Sequence, residues 1–316
     1  MDGASPWSDL GASATLGSNQ RIPMSEQIDN VLHENRAFPP SKDFQSQARL
    51  NSFEQYQRMY AESLQDPEAF WGRVAQELPW IRPFDQVLDW SDAPFASWFQ
   101  GGQLNASAIC LDQHVANGRG DKLAIRWEGE PGDRRDFTYR ELLEEVGRFA
   151  NVLKARGVQR GDRVAIYMPM IPELTMAVLA CARIGAVHSV VFGGFSAQAL
   201  ADRIHDGDCC AVITSDGGWR RGKVLPLKQE VDTALATCKG VHTQLVIRRC
   251  GNEVAWDEKR DVWYHEAAEQ VGSDCPPEAM ESEDLLFLLY TSGSTGKPKG
   301  IMHSTGGQSL PTCSAA

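Results

Sequence analysis

The chain has 316 residues, 42% of them hydrophobic, enough to bury a core without metal or disulfide staples and too apolar for wholesale disorder. Its 42 acids outnumber its 31 Lys and Arg, giving a net charge of −11, which excludes a general nucleic-acid binder because that function needs a basic face. The longest apolar run near the middle, Met176–Ala182, falls far short of the roughly 20 residues a bilayer span requires, so no membrane partner is expected.

The N-terminus carries Asp2 and Asp9, with neither a basic region nor an apolar stretch behind it, so a secretory signal is not expected and the predicted location is the cytoplasm. Residues 1–20 are rich in Gly, Ala and Ser and read as a disordered tail. Helical patterning covers Arg49–Leu64 and then Asp66–Leu78, where Asp66, Pro67 and Glu68 supply cap, first-turn proline and acid. Trp80–Phe99 is dense in aromatics and prolines and is expected to pack as irregular structure.

From about residue 120 the pattern changes. Leu123–Trp127 and Arg135–Thr138 flank a turn, Glu130 to Asp133, and read as a hairpin. Thr138 and Glu141 form a capping box for a helix that Gly157 stops. Strands follow at Val164–Met168, Val187–Phe192, Cys209–Thr214, Leu245–Ile247 and Leu285–Tyr290. Helices lie between them at Pro172–Ile184, Ala197–His205, Pro226–Cys238 and Asp261–Gln270. This alternation marks an α/β fold of parallel sheets sandwiched by helices, whose ligands gather where loops leave the carboxyl ends of strands. Phe192–Ser196, Thr214–Lys223 and Tyr290–Gly300 are those loops.

The eight cysteines form no CxxC pair and the histidines show no finger spacing, so a structural zinc site is not expected and buried free thiols are. The strongest chemical signal is Tyr290-Thr291-Ser292-Gly293-Ser294-Thr295-Gly296-Lys297-Pro298-Lys299-Gly300, directly after an apolar strand. Its glycines permit tight turns, its hydroxyls and N–H groups can donate to phosphate oxygens, and its lysines supply charge. Thr291, Ser292, Gly293, Ser294, Thr295, Gly296 and Lys297 are the candidate ATP phosphate-binding residues. Only two residues separate Gly293 from Gly296, and Pro298 follows Lys297, so the loop is not a Walker A sequence. No Gly-x-Ser-x-Gly register fits a nucleophile elbow either.

A second signal is charge. Arg220, Arg221, Lys223 and Lys228 follow Gly217 without an intervening acid, a basic island in an acidic chain. It reads either as a solvated loop or as a docking site for an anion. Glu173 and Asp206 read as helix-face residues and His188 as a satisfied core histidine; no catalytic residue is assigned.

The 290–300 loop resembles the phosphate-binding signature of the AMP-forming adenylating enzymes. The longer context is similar to their acetyl- and propionyl-CoA synthetase branch. Gly161–Glu173, Ala180–Ala186 and His188–Ser196 carry that likeness, with Phe70-Trp71 and Leu88-Asp89-Trp90 resembling the branch's N-terminal extension. The resemblance spans about residues 22–307. It implies that residues 21–118 are this extension, that residues 119–307 are part of the AMP-binding domain, and that residues 308–316 are a divergent tail. It implies a ligase that joins acetate to coenzyme A through acetyl-adenylate, with ATP and Mg²⁺ as substrate complex. By resemblance Arg220, Arg221, Gly222 and Lys223 form the loop that grips CoA phosphates. Lys223 stands where a second arginine is usual, keeping the charge without the bidentate fork. Gly193 and Gly194 would let the thiol arm pass close to the backbone, or serve only a tight turn. His303 resembles a family histidine.

Three positions depart from the pattern, Ala108, Ile109 and Gln113 standing where Tyr, Asn and Arg are usual. The family continues for roughly as many residues again, carrying the acetate pocket, the adenine motif and the small C-terminal domain. The chain therefore reads as an N-terminal part without turnover of its own. A non-catalytic CoA- or nucleotide-binding derivative and a propionate–CoA ligase remain the alternatives.

Overall fold

The computed structural model describes residues 38–291 and 299–314, with side chains up to Leu310. The expected tail, 1–20, lies outside the described residues. The chain divides into two units at Ala61 and Glu62.

In the first unit, α1 (Lys42–Gln47) is capped by Ser41, whose hydroxyl accepts the Phe44 N–H. The helix α2 (Phe53–Gln65) carries a ladder of stacked rings, Phe53, Tyr56 and Tyr60, at helical spacing.

The second unit, which starts at Glu62 in the last part of α2, continues with α3 (Pro67–Ala75), capped by Asp66. The aromatic segment then forms an antiparallel hairpin, β1 (Gln86–Asp92) and β2 (Phe95–Gln100), rather than irregular structure. Phe99 of β2 joins a small core with Ala75, Leu78, Leu104, Ile109 and Leu310, which half-buried Trp80, Phe84 and Trp98 complete. Next come β3 (Gln103–Leu104), α4 (Ala106–Cys110) and α5 (Asp112–His114). The buried Asn105 caps α4 through its side-chain oxygen and donates to the carbonyls of Ala182 and Glu278, each at 2.9 Å.

The expected hairpin is present as β4 (Leu123–Glu128) and β5 (Arg134–Thr138). After it come α6 (Tyr139–Ala155), β6 (Arg163–Met168), α7 (Pro172–Arg183), β7 (Val187–Phe192), α8 (Ala197–Asp206) and β8 (Ala211–Ser215). The predicted loop after β8 instead holds a third hairpin, β9 (Gly218–Arg220) and β10 (Lys223–Leu225), before α9 (Leu227–Leu235). The chain continues through β11 (Thr243–Ile247), β12 (Asp261–Trp263), α10 (Tyr264–Ala268), β13 (Met280–Glu281), β14 (Leu285–Thr291), β15 (Lys299–Ser304) and α11 (Thr305–Ser314). Asp261–Gln270 was expected to be one helix. Its first three residues pair in parallel with β11 instead, because Val262 and Trp263 suit an edge strand better than a helix start.

Seven strands form one sheet in the order β12-β11-β8-β6-β7-β14-β15, all parallel neighbours except β14 and β15. Successive residues of β6 enter opposite cores. Val164, Ile166 and Met168 pack with α6 and α7, while Ala165 and Tyr167 pack with α8 and α9. Burial on both faces explains why these strands read as continuous apolar runs. The chain leaves β6 toward β7 on one side and leaves β8 toward β11 on the other. A crevice therefore opens at the carboxyl ends of β6 and β8, where connections diverge.

Among the described residues no helix is long and apolar enough to cross a membrane, and no group of three or more His, Cys, Asp or Glu side chains could hold a metal. Of the described cysteines, Cys181, Cys209, Cys238 and Cys275 are buried, and Cys110, Cys210 and Cys250 half-buried.

Candidate functional site

The crevice holds a cavity of about 520 Å³. Its floor is Met168–Ile171 at the end of β6 and Val190–Gly194 at the end of β7. The β9 strand closes one side, and Trp127–Glu130 of the β4–β5 hairpin closes another. The lining is mostly apolar, with Arg220 and Arg249 as its cations and Glu128 and Glu130 as its acids. Such a space takes a flexible, largely uncharged chain, with charge recognised at its edge.

The β9–β10 hairpin makes that edge. Its two-residue turn has positive φ at both positions, 54° at Arg221 and 74° at Gly222, as a type I′ turn demands. Glycine tolerates this freely, but Arg221 is held where L-residues are rarely found. The turn places Arg220 directly opposite Lys223. Like charges facing across an antiparallel pair repel, so the arrangement calls for an anion between them.

Gly194 makes room for this group. A Cβ there would run into the Arg220 guanidinium and the Phe192 ring, and Arg220 sits over that ring at 5.2 Å. A Cβ at Gly193 would lie 3.2 Å from the Met168 carbonyl oxygen. Neither glycine needs a positive φ, so close approach decides both positions. The loop they begin is fixed from below: the Tyr167 hydroxyl donates to the Phe195 carbonyl at 2.6 Å, and Glu230 accepts the Ala197 N–H at 3.1 Å. Burial, with Glu230 adding to it, pushes the Tyr167 hydroxyl up to about 12, so it remains a donor.

On the far side, Arg249 forks onto Asp133 at 2.7 and 3.0 Å and stacks over Trp127 at 4.9 Å. This hydrogen bonding holds the Asp133 carboxyl below its ordinary range.

Residues 112–315 match the family model described as AMP-binding enzyme. The chain belongs to the AMP-binding enzyme family. Residues 56–110 match the model of the acetyl-coenzyme A synthetase N-terminus. It is 56% identical to acetyl-coenzyme A synthetase 2 of Pseudomonas putida over 277 residues, 87% of this chain and 43% of that protein. It is 54% identical to acetyl-coenzyme A synthetase of Magnetococcus marinus over 278 residues, 87% and 43% of the two chains, and 54% identical to that of Halorhodospira halophila over 284 residues, 89% and 44%. It thus spans less than half the length of these relatives.

Gly193, Gly194 and Arg220 line the cavity, with Arg221, Gly222 and Lys223 in the hairpin turn beside it. Thr291 ends β14, the neighbour of β7, and pairs with Lys299. The other predicted phosphate-loop residues, Ser292, Gly293, Ser294, Thr295, Gly296 and Lys297, lie outside the described residues. Lys228 does not belong with the basic island: it is fully buried and ion-paired to Asp261 at 2.7 Å. His188 is a core residue, stacked on Phe287, but its Nδ1 has no partner among the described residues, so it is not satisfied. Glu173 pairs with Arg135, and Asp206 accepts from the Tyr290 hydroxyl at 2.7 Å, both outside the cavity. His303 stacks on Phe287 and contacts Gln308, also away from it. Ala108, Ile109 and Gln113 do not line the cavity, and Ile109 is in the small core with Leu104.

Sequence reasoning missed Trp127, Glu130, Asp216 and Arg249. Only Asp216, an acid immediately after an apolar strand, carried a positional signal.

Proposed function

We propose that this chain provides the coenzyme A-docking and ATP phosphate-holding part of an AMP-forming acetate–CoA ligase. The observation that carries the reading is Arg220 facing Lys223 across a tight turn at the edge of a mostly apolar cavity. In the ligase reaction, acetate oxygen attacks the α-phosphate of ATP and pyrophosphate leaves. The CoA thiol then attacks the acetyl-adenylate and AMP leaves. Arg220 and Lys223 hold CoA phosphate oxygens by charge-assisted bonds, and the apolar cavity receives the pantetheine arm. The 291–297 loop cradles the β- and γ-phosphates of ATP, and Mg²⁺ arrives on the nucleotide as part of the substrate. Free thiols at Cys181, Cys209, Cys210, Cys238, Cys250 and Cys275, with ATP and CoA as substrates, fit a reducing cytoplasm.

Calorimetric titration tests the reading. The 316-residue chain binds CoA, and Arg220→Ala with Lys223→Ala weakens it by about 30-fold or more, since two charge-assisted contacts are lost. Unchanged affinity in the double variant rejects the site.

A binding protein without turnover is the second reading, and one observation favours it. Both carboxylates lining the cavity are engaged, Glu128 with Arg134 at 3.1 Å and Glu130 with backbone N–H groups, so the described lining docks a ligand and offers no free base. Acetate-dependent exchange of labelled pyrophosphate into ATP separates the two: exchange by this chain supports the ligase, and CoA binding without exchange supports the binder.

A further inference from the structure

The β4–β5 hairpin is the outer wall of the cavity, and besides the Arg135–Glu173 ion pair three contacts tie it down. Trp127 Nε1 donates to the Met170 carbonyl at 2.7 Å, closing the wall onto the end of β6. Asp133 holds Arg249 beyond the end of β11. Glu130 reaches the β9–β10 turn, where its carboxylate accepts the backbone N–H of Arg221 at 3.0 Å and also that of Gly222.

The third tie is the unusual one. Arg220, Arg221 and Lys223 are exposed on the same turn and, among the described residues, form no ion pair. The nearby carboxylate is committed to the two amides instead. Consecutive N–H groups of a turn with positive φ converge and favour an anion, and Glu130 is that anion. Holding the turn from its backbone leaves all three cationic side chains for something else. It also counters two penalties the sequence imposes on this hairpin: a non-glycine at φ 54° and the Arg220–Lys223 repulsion.

We propose that Glu130 is a positioning residue for the phosphate-bearing end of the ligand, fixing the Arg221–Gly222 turn so that Arg220 and Lys223 stay side by side as a paired cation. This rests on the coenzyme A reading of the cavity. Glu130 lines the rim of the cavity, but both its carboxylate oxygens are spent on the turn amides, so it acts through the turn and not on the pantetheine arm.

The test compares CoA with pantetheine, which has the same thiol arm and no phosphates, on the full chain and on Glu130→Gln and Glu130→Asp. A Gln amide accepts with one atom only and carries no charge. CoA binding by Glu130→Gln falls about tenfold, pantetheine binding stays within twofold, and Glu130→Asp recovers part of the CoA affinity. Amide exchange at Arg221 and Gly222 speeds up in Glu130→Gln, and retained pantetheine binding certifies the fold. Unchanged or tighter CoA binding in Glu130→Gln overturns the proposal, the tighter result making Glu130 a competitor for the anion. An equal fall for CoA and pantetheine overturns it too, because the effect is then general collapse of the wall. If the wild-type chain binds neither compound, the coenzyme reading itself fails, before any variant is compared.

Discussion

The carboxylate of Asp216, one residue past β8, accepts the backbone N–H of Arg249 at 2.8 Å, two residues past β11. It also accepts from Gly217 at 2.7 Å, Cys250 at 2.9 Å and Gly251 at 2.7 Å, and is 1% exposed. One buried anion thus ties together the exits of two neighbouring parallel strands. It also sets the backbone from which Arg249 reaches Asp133 and Trp127, so the wall of the cavity is anchored in the core.

Asp216→Ala leaves four N–H groups without their acceptor, and is expected to cost about 3–5 kcal/mol, with Asp216→Asn costing roughly half because its amide oxygen still accepts two. Denaturant unfolding reads this as a lower midpoint at constant slope. A loss below about 0.5 kcal/mol for the Ala variant, the range of an ordinary surface change, contradicts the anchoring role.

Gly194→Ala tests the space reserved for Arg220. The backbone there accepts alanine, but both the guanidinium and the exposed Phe192 ring must move aside, so stability falls by no more than about 2 kcal/mol. Arg220 then leaves its seat over Phe192, and CoA binding weakens by about 5- to 10-fold, the loss of one charge-assisted contact. Titration beside a thermal melt checks both halves, and wild-type affinity in the variant contradicts the packing argument.

His188 gives the sheet a pH dependence. Burial lowers its imidazole from the ordinary 6.5 to about 4, so the folded chain keeps it neutral where the unfolded chain protonates it. Its contribution is fully present above pH 6.5 and is lost as pH falls toward 4, by up to about 3 kcal/mol. Phenylalanine retains the stack on Phe287 and removes the titration. Unfolding free energies measured between pH 7.5 and 4.5 are expected to fall less steeply for His188→Phe than for the wild type, and parallel slopes would refute this.

Lys228 is a structural cation. It lies 2.7 Å from Asp261, with both side chains fully buried, and 2.9 Å from Asp232, while Arg260 bridges the same two acids. Burial pushes the Asp261 carboxyl up, but the bonds from Arg260 and Lys228 outweigh it and hold it below its ordinary range. Lys228→Met leaves charge uncompensated in the core and is expected to cost about 3–5 kcal/mol. At temperatures where the variant is folded, its CoA affinity matches the wild type; a selective loss of CoA binding with unchanged stability would return Lys228 to the docking site.

The framework of the site was legible because it rests on local signals. Thr138 and Glu141 announced a helix start, and Val187–Phe192 announced a strand with the bounds it has. The alternation from residue 120 onward announced the parallel sheet, and the loops leaving β7 and β8 are where the cavity lies. What escaped was long-range or ambiguous. Glu130 meets Arg221 across 91 positions, and nothing near either residue signals the contact. Lys228 is the second residue of α9, where helical rotation carries it inward, away from the cations it adjoins in sequence. The β9–β10 hairpin was hidden because its turn uses Arg221 where Asn or Gly would advertise a type I′ geometry.

A crystal structure of the chain grown with CoA tests the central claim most directly. The account predicts density for the pantetheine arm in the cavity between β6, β7 and the β4–β5 hairpin, with a phosphate group between Arg220 and Lys223 and Glu130 still on the turn amides. CoA bound elsewhere on the chain, with this cavity empty, would contradict it.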